Sequence, residues 1–353
     1  MTQDLFLRLK SLSANTSGED LQFDIDEEIK KYLKHRRKLD DEIHRAISSV
    51  NNLNLPWENR KTLLQKLYNC LTPNQVKQAY SKRKDVVLEG CMSFRQSMAT
   101  RTAKQQIGLE LDEWKLNDKK TGSKYASFLG LDIPLSKGEF DVVDVKNIYE
   151  GLLKPSYGAN ANHVYAHIGN KVLDLKKKEF LDSRSEFHKA LELSGVRKWL
   201  VEEFLQDPHL PEAPARDLKF YCFYGKVALI LEVVRFPEVR YCWWDSSGCP
   251  IATGQYADKP LEGYGVTQSN IKMAENVSSS IPVPFMRIDF LKTKRGMVFG
   301  EFTPRPGDFE KFNRNTDLFL GKHFLEAEFR LEQDLLSGQT FNEFKTFFGE
   351  YRG

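Results

Sequence analysis

Several common signals are missing from this 353-residue sequence. Its five cysteines are an odd number, and no two of them form a Cys-x-x-Cys pair: Cys70, Cys91, Cys222, Cys242 and Cys249. This pattern does not fit a secreted disulfide scaffold and favours a reduced, cytoplasmic enzyme. The first residues also lack the basic-then-apolar order of a secretion signal. We therefore expect a cytoplasmic protein.

Strong net charge and long apolar runs are absent as well. The net charge is only +3, which gives no reason to expect nucleic acid or a membrane surface as a partner. The longest apolar runs, such as residues 227–231, are far shorter than the roughly 20 residues that cross a bilayer. We expect no nucleic-acid partner and no membrane span. The oligomeric state is left open.

The pattern along the chain changes once. Residues 1–112 are predicted to be helical, because apolar side chains recur at helical spacing between residues 24 and 50. From about residue 116, short apolar strands and helices follow one another without a regular strand–helix alternation. This order is typical of an α+β fold. The sequence therefore predicts a helical N-terminal region at 1–112 and an α+β domain at 113–353.

The most informative segment is a predicted hairpin near the C-terminus. Asp289 lies in its first strand and Glu301 in its second, each among apolar residues. Carboxylates are rarely buried without a counter-charge, and Mg²⁺ at a nucleotide site takes one or two of them. Arg287 shares a face with Asp289 because strand side chains alternate. The alternative is a solvated or salt-bridged pair, and the hairpin alone leaves both interpretations open.

Two further segments have the chemistry of a nucleotide site. Lys154 ends a predicted strand, and the small residues of the turn at 156–162 would let backbone N–H groups approach a phosphate. The strand at 199–205 carries Glu202 and Glu203, and its backbone could read a planar base. The simpler alternatives are an ordinary Lys-Pro turn and an edge strand with solvated glutamates.

A second hairpin is predicted at residues 217–227. Asp217 and Lys219 share one face of its first strand, while Phe220 and Cys222 share the other. A charged face next to an apolar face is typical of a strand that lines a polar cleft. It is equally typical of a strand that faces water, so this hairpin also needs support from the rest of the chain.

Together, these segments resemble the ATP-grasp superfamily over about residues 116–325. The resemblance is greatest to the branch typified by the teichuronopeptide-biosynthesis protein TupA. Two motifs carry it: Asp-Leu-Lys-Phe-Tyr-Cys-Phe-Tyr-Gly-Lys at 217–226, and Arg-Ile-Asp-Phe at 287–290 with Gly-Glu-Phe-Thr-Pro-Arg-Pro-Gly at 300–307. The resemblance implies an α+β ATP-grasp fold in which two sub-domains grip ATP. The flap sub-domain would span about 145–205 and the catalytic, metal-binding sub-domain about 206–353.

The resemblance also implies roles for individual residues. The nucleotide would be contacted by Lys119, Lys154, Ser156, Gly158, Glu202, Glu203, Phe204, Leu205 and Asp217. Mg²⁺ would be held by Asp289, Glu301 and Thr303, and catalysis would use Arg287, Lys219 and Arg305. Two features depart from the family pattern: Gly158 is the only glycine of the flap turn, and Arg305 is suited to an anionic substrate. Thr303 stands where much of the superfamily has an asparagine, as in the TupA-like branch.

The activity implied by the resemblance is ATP-dependent amide formation. A carboxylate, such as a uronic acid or an amino acid, would be activated as an acyl phosphate and then attacked by an amine. ATP and Mg²⁺ are the expected cofactors, and cell-surface polysaccharide or peptide–glycan assembly is the expected setting. Two alternatives are a kinase that phosphorylates an alcohol and a non-catalytic, nucleotide-binding interaction protein.

Overall fold

The computed structural model describes residues 18–56, 59–60, 63, 92–156, 162–210 and 212–350. Gly158, predicted to belong to the flap, lies outside the described residues. The chain divides into two compact units, Met1–Cys91 and Met92–Gly353. In the first unit, helix α1 spans Gly18–Asn51, within the predicted helical region.

The second unit starts at Met92, so the expected boundary at residue 112 falls inside it. Phe94 explains this position. It is fully buried in the largest core cluster, where its ring packs edge-on against Phe285 at a centroid distance of 5.0 Å. The helix that carries Phe94 therefore belongs structurally with the domain that follows.

The second unit contains eight further α-helices, a 3₁₀ helix and eleven strands among its described residues. The helices are α2 (Phe94–Gln106), α3 (Asp112–Lys115), α4 (Lys119–Phe128), α5 (Val142–Val145), α6 (Arg184–Leu193), α7 (Gln268–Ser279), α8 (Arg314–Leu336) and α9 (Asn342–Glu350). The 3₁₀ helix is Phe309–Lys311. The strands are β1 (Ser136–Asp141), β2 (Gly151–Pro155), β3 (Tyr165–Ile168), β4 (Lys171–Asp174), β5 (Glu179–Leu181), β6 (Lys198–Glu202), β7 (Arg216–Cys222), β8 (Val227–Val234), β9 (Arg240–Asp245), β10 (Met286–Thr293) and β11 (Gly296–Thr303).

A six-stranded antiparallel sheet forms from the strands in the order β1-β6-β2-β3-β4-β5. Its own core is built around Trp199 and Phe187, both fully buried, and α6 supplies Phe187. This sheet covers the predicted flap region, but it begins at Ser136 because β1 pairs with β6. The flap sheet thus starts before residue 145.

A five-stranded antiparallel sheet has the order β11-β10-β7-β8-β9. On one face, here called the back face, Phe290 packs against Phe220 and Phe299. Tyr125 of α4 packs on Phe302 of the same face. Because strand side chains alternate, the neighbours of these residues point to the opposite, front face, which carries most of the predicted catalytic groups.

Local signals set the starts of the helices that cover this sheet. Asp118 caps α4 by accepting a hydrogen bond from the Thr121 N–H at 2.8 Å, and Asn313 caps α8 through the Thr316 N–H at 2.8 Å. Such caps satisfy N–H groups that have no partner inside the helix. No helix in the described part of the chain is long and apolar enough to cross a membrane. Helices and antiparallel sheets confirm the predicted α+β class.

Candidate active site

The front face brings together the side chains predicted for catalysis and metal binding. In the register of the sheet, Asp289 on β10 lies opposite Glu301 on β11 and Lys219 on β7. Arg287 lies opposite Thr303. These five residues are here called the front cluster. Their common face follows from the period-2 geometry that the sequence motif obeys.

Asp289 is buried between two cations. Arg287 donates from Nε to Oδ1 and from Nη2 to Oδ2, each at 2.7 Å, and Lys219 Nζ donates to Oδ2. Burial alone pushes the pKa of Asp289 upward, but the charges of Arg287 and Lys219 outweigh it and hold the pKa below its ordinary value. The carboxylate is therefore ionised at neutral pH.

Glu301 is the open member of the front cluster. Its side chain is 37% exposed, and its Oε1 lies 3.5 Å from Nη2 of Arg287. The strand register shifts between Asp289 and Phe290, which leaves Gly300 as an extra residue before Glu301. Bulges of this kind re-aim side chains next to functional sites. Glu301 can therefore offer oxygen atoms to an incoming ligand.

The donor set of the front cluster fits a magnesium ion that is shared with phosphate oxygens. A carboxylate has about four acceptor positions, and the cations occupy three of those on Asp289. Glu301 is largely open, and the hydroxyl of Thr303 accepts from Arg287 Nη2 at 3.0 Å. The described residues contain no group of three or more His, Cys, Asp or Glu that could hold a metal. Mg²⁺ at nucleotide sites needs only one or two carboxylates.

Asp217 lies beside the front cluster and has a partner that the sequence did not reveal. Arg235 Nε donates to Asp217 Oδ2 at 2.7 Å, and Lys219 Nζ lies 3.9 Å from the same oxygen. The charge of Asp217 raises the pKa of Arg235. Arg235 follows the end of β8 and belongs to no motif, so only the fold shows that it reaches Asp217.

Lys154 and Glu202 form an ion pair across neighbouring strands of the flap sheet. The Nζ of Lys154 lies 2.6 Å from Oε2 of Glu202, and both side chains are largely buried. Ser156, at the end of β2, donates its hydroxyl to Glu139. Three predicted nucleotide ligands are thus placed on adjacent strands.

The predicted hinge connects the two sheets. Leu205 is buried and packs in a small cluster with Ala215 and Val298, against which Leu291 also packs. Leu291 is the register partner of Asp217. The hinge therefore runs close to Asp217, and the roles of both in binding the nucleotide stay predictions.

Glu203 in the hinge is already engaged by protein groups. Its side chain accepts from Arg295 Nη1 at 2.9 Å, and its N–H donates to the Leu135 carbonyl at 2.8 Å. The neighbouring residue, Phe204, is half-buried. Glu203 is thus placed to fix the hinge, and Arg295, which the sequence reasoning missed, joins the β10–β11 turn to it.

The structure does not bring Lys119 and Arg305 into direct contact with the front cluster in the described part of the chain. Lys119 is exposed in the first turn of α4, and that helix packs through Tyr125 on Phe302 of the back face. Arg305 is exposed in the loop after β11. Their predicted contacts with nucleotide and substrate remain predictions.

A second ionic cluster lies on the back face of the same sheet and is here called the back cluster. Arg216 donates from Nε to Asp207 Oδ2 at 2.8 Å and from Nη1 to Glu232 Oε1 at 3.1 Å. Glu232 also accepts from Trp244 Nε1 and from the Tyr264 N–H, both at 3.1 Å. All charges of this cluster are buried and hydrogen-bonded, which is typical of a structural network.

The described part of the chain thus has two antiparallel sheets joined by a hinge, with Asp289 and Glu301 on the front face of one of them. The sequence model of the TupA-like ATP-grasp family matches residues 97–325 of this chain. The chain therefore belongs to the TupA-like ATP-grasp family. This match confirms the resemblance drawn from the two motifs and the predicted fold, and it supports ATP-dependent ligation as the general class of activity.

Several solved structures match parts of this chain at low similarity. The chain is 12% identical to the ATP-grasp ligase PsnB complexed with a minimal precursor, over 62% of this chain and 61% of PsnB, with a TM-score of 0.37. It is 12% identical to D-alanine–D-alanine ligase from Bacillus anthracis, over 66% of this chain and 76% of the ligase, with a TM-score of 0.38. For the L-amino acid ligase from Bacillus licheniformis the identity is 14%, the coverage 63% and 52%, and the TM-score 0.36. We draw nothing about the substrate from matches this distant. A search of curated proteins gave no significant match.

Proposed function

We propose that this protein is an ATP-dependent ligase that joins a carboxylate to an amine through an acyl phosphate. The observation that carries the proposal is the front cluster, in which the open carboxylate of Glu301 stands next to Asp289 and its two cations. The match of the family over residues 97–325 supports the use of ATP. Magnesium and the two substrates are parts of the proposal.

In the first step, the γ-phosphoryl group of ATP passes to an oxygen of the substrate carboxylate. Phosphoryl transfer needs positioning and charge neutralisation more than covalent help from the protein. Lys154, Lys219 and Arg287 supply positive charge for this purpose. Mg²⁺, when bound by Asp289 and Glu301 with Thr303 beside them, would neutralise charge on the phosphate oxygens.

In the second step, the amine nitrogen attacks the acyl carbon of the acyl phosphate. A C–N bond forms as the C–O bond to phosphate breaks. Phosphate leaves with that electron pair and takes up the proton that nitrogen loses. Arg287, whose guanidinium donates two hydrogen bonds to Asp289, would stabilise the negative charge that develops in both steps.

The substrate class that we propose is a uronic acid or amino acid as carboxylate, in cell-surface polysaccharide or peptide–glycan assembly. We choose this substrate class by analogy with the TupA-like branch of the family. Arg305 supports the proposal of an anionic substrate. It is exposed and lies two residues after the end of β11, the strand that carries Glu301 and Thr303.

Product analysis tests the proposal. ATP and Mg²⁺ are supplied with a panel of uronic and amino acids, each with and without amines, and ADP, inorganic phosphate and the organic product are measured. We expect ADP and inorganic phosphate in equal amounts only when an acid and an amine are both present. ADP formed with a stable phosphorylated alcohol would instead identify a kinase.

A further inference from the structure

Two tyrosines and a carboxylate form a wall beside the front face. Tyr241 on β9 stacks on Tyr256, with ring centroids 4.0 Å apart and planes 13° from parallel. The hydroxyl of Tyr256 donates to Oδ2 of Asp308 at 3.0 Å. This wall, formed by Tyr241, Tyr256 and Asp308, is not used by the proposed phosphoryl-transfer step.

The backbone of the wall is held in an unusual conformation. Tyr256 and Asp308 both have left-handed φ values, 59° and 58°. Residues other than glycine keep such values only where the surroundings enforce them, and they are frequent at functional sites. Gln255 helps to hold the backbone of Asp308 in this conformation. Its Nε2 donates to the Asp308 carbonyl at 2.7 Å, and Gln255 itself is only 4% exposed. Asp308 is therefore fixed in position.

The segment that carries Asp308 leads from the front cluster across the sheet. It starts after Thr303 and reaches Phe312, whose ring lies 5.9 Å from that of Tyr221 and 5.4 Å from that of Trp243. Tyr221 is the register partner of Arg287. Tyr241 is the register partner of Val233, which is in turn the register partner of Asp217, so Tyr241 and Asp217 share the front face. The wall thus borders the same front-face space as the reacting groups.

Asp308 already binds a primary ammonium group. The Nζ of Lys311 lies 2.8 Å from Oδ1 of Asp308, and the two side chains are 59% and 40% exposed. The hydrogen bond from Lys311 lowers the pKa of Asp308, so the carboxylate is charged at neutral pH. Exposed ion pairs are weak. An incoming ammonium group can therefore replace Lys311 or bind next to it.

We propose that Asp308 binds the amine substrate as an ammonium ion, with the Tyr256–Tyr241 stack as the side of its pocket. The inference rests on the proposed ligase function and deepens it. The amine is then a primary amine that is protonated at neutral pH, such as an amino acid or a diamine. Binding on Asp308 would hold it next to the acyl phosphate until it passes its extra proton to the Asp308 carboxylate and attacks as the neutral amine.

Asp308→Asn tests this role with little disturbance of the loop. Asparagine tolerates a left-handed backbone and keeps an oxygen that can accept from Tyr256. Glu310→Gln is the matched control, since it removes the same charge from the same loop. Each protein is given ATP, Mg²⁺ and uronic or amino acids, first with hydroxylamine and then with amino acids or putrescine. Hydroxylamine traps acyl phosphates as hydroxamates and is uncharged at neutral pH.

For Asp308→Asn we expect hydroxamate formation close to that of the wild type. The KM for the protonated amine should rise about tenfold or more, as expected for the loss of one charge-assisted hydrogen bond. Glu310→Gln should behave as the wild type in both reactions. The split between hydroxylamine and amine separates recognition of the ammonium group from a general loss of structure.

Three results would overturn the inference while leaving the ligase proposal in place. They are an unchanged KM for the amine in Asp308→Asn, an equal loss of hydroxamate and amide formation, and a wild type that forms hydroxamate but no amide with any of the protonated amines. A wild type that forms no acid-dependent hydroxamate would overturn the ligase proposal itself, and the inference with it.

Discussion

The front cluster and the back cluster are two sets of charges on opposite faces of one sheet. In the back cluster, Glu232 is 0% exposed and both of its oxygens accept hydrogen bonds from protein donors. In the front cluster, Asp289 is just as firmly held, but Glu301 is 37% exposed. The carboxylate of Glu232 is thus buried with both oxygens hydrogen-bonded, whereas the carboxylate of Glu301 is accessible to solvent.

This difference separates a structural role from a chemical one. A closed network has no acceptor left for a ligand, so its charges can serve only the fold. An open carboxylate beside a rigid carboxylate–guanidinium pair can take up a cation and the anionic group that comes with it. Substitutions in the two clusters should therefore separate stability from turnover.

The largest effect is expected from Asp289→Asn. The change removes the nearest counter-charge of the buried Arg287 and Lys219, which costs about 3–5 kcal/mol of unfolding free energy, and it also removes a proposed metal ligand. Urea unfolding and ATP turnover should both show severe losses. Because the pKa of Asp289 is lowered in the folded state, its stabilisation is present at neutral pH and is lost as the pH falls through that lowered pKa.

The stability gap between wild type and Asp289→Asn should therefore close in acid. A gap of constant size down to strongly acidic pH would show that the Asp289 charge is not the source of the stability.

Glu301→Gln should separate the two properties. Among the described residues, the half-exposed side chain has only a long contact, to Arg287, so urea unfolding should be close to that of the wild type. ATP turnover should fall about a hundredfold or more, the usual loss when one group that stabilises transition-state charge is removed. Glu238→Gln, the same change at an exposed residue paired with Arg240, is the control. Near-normal turnover in Glu301→Gln would refute its role as a metal ligand.

Glu232→Gln should have the opposite effect: it should lower stability and leave ATP turnover unchanged. The acceptor of the hydrogen bond from Arg216 loses its negative charge, and Asp207 remains as a charged partner of Arg216. We expect a loss of about 1.5–3 kcal/mol in unfolding free energy, the range for hydrogen bonds to charged groups. Turnover per folded molecule should stay near the wild-type value. A large loss of turnover at full stability would show that the back cluster also serves the chemistry.

Arg305→Ala should have the smallest effect. If the guanidinium reads the acid substrate, KM for the acid should rise about tenfold, as for one lost charge-assisted hydrogen bond. KM for ATP should not change. Lys294→Ala removes the same charge at the exposed β10–β11 turn and serves as the control. Equal increases in both KM values would assign Arg305 to the nucleotide.

The sequence was sufficient to predict much of the front cluster because four of its five members lie on two adjacent strands, β10 and β11. Alternation along β10 predicts that Arg287 and Asp289 share a face, and a tight turn predicts that Glu301 is opposite. The α+β class was equally accessible from the pattern of short strands and helices. These features depend only on local geometry and on the family motifs.

The remaining groups depend on contacts between distant segments. Arg235 reaches Asp217 through the β7–β8 pairing, and Arg295 reaches Glu203 across the hinge. Tyr256 and Asp308 meet through two loops with left-handed backbones, for which the sequence has no glycine signal. Side-chain periodicity cannot predict loop-to-loop contacts, so these groups appear only in the folded protein.

Calorimetric titration of ATP with and without Mg²⁺, on the wild type and on Glu301→Gln, is the sharpest test of the proposed metal site. We expect tight binding of ATP to the wild type only when Mg²⁺ is present, and a clear loss of this magnesium dependence in the variant. Binding of equal strength with and without the ion, or an unchanged magnesium dependence in Glu301→Gln, would contradict it.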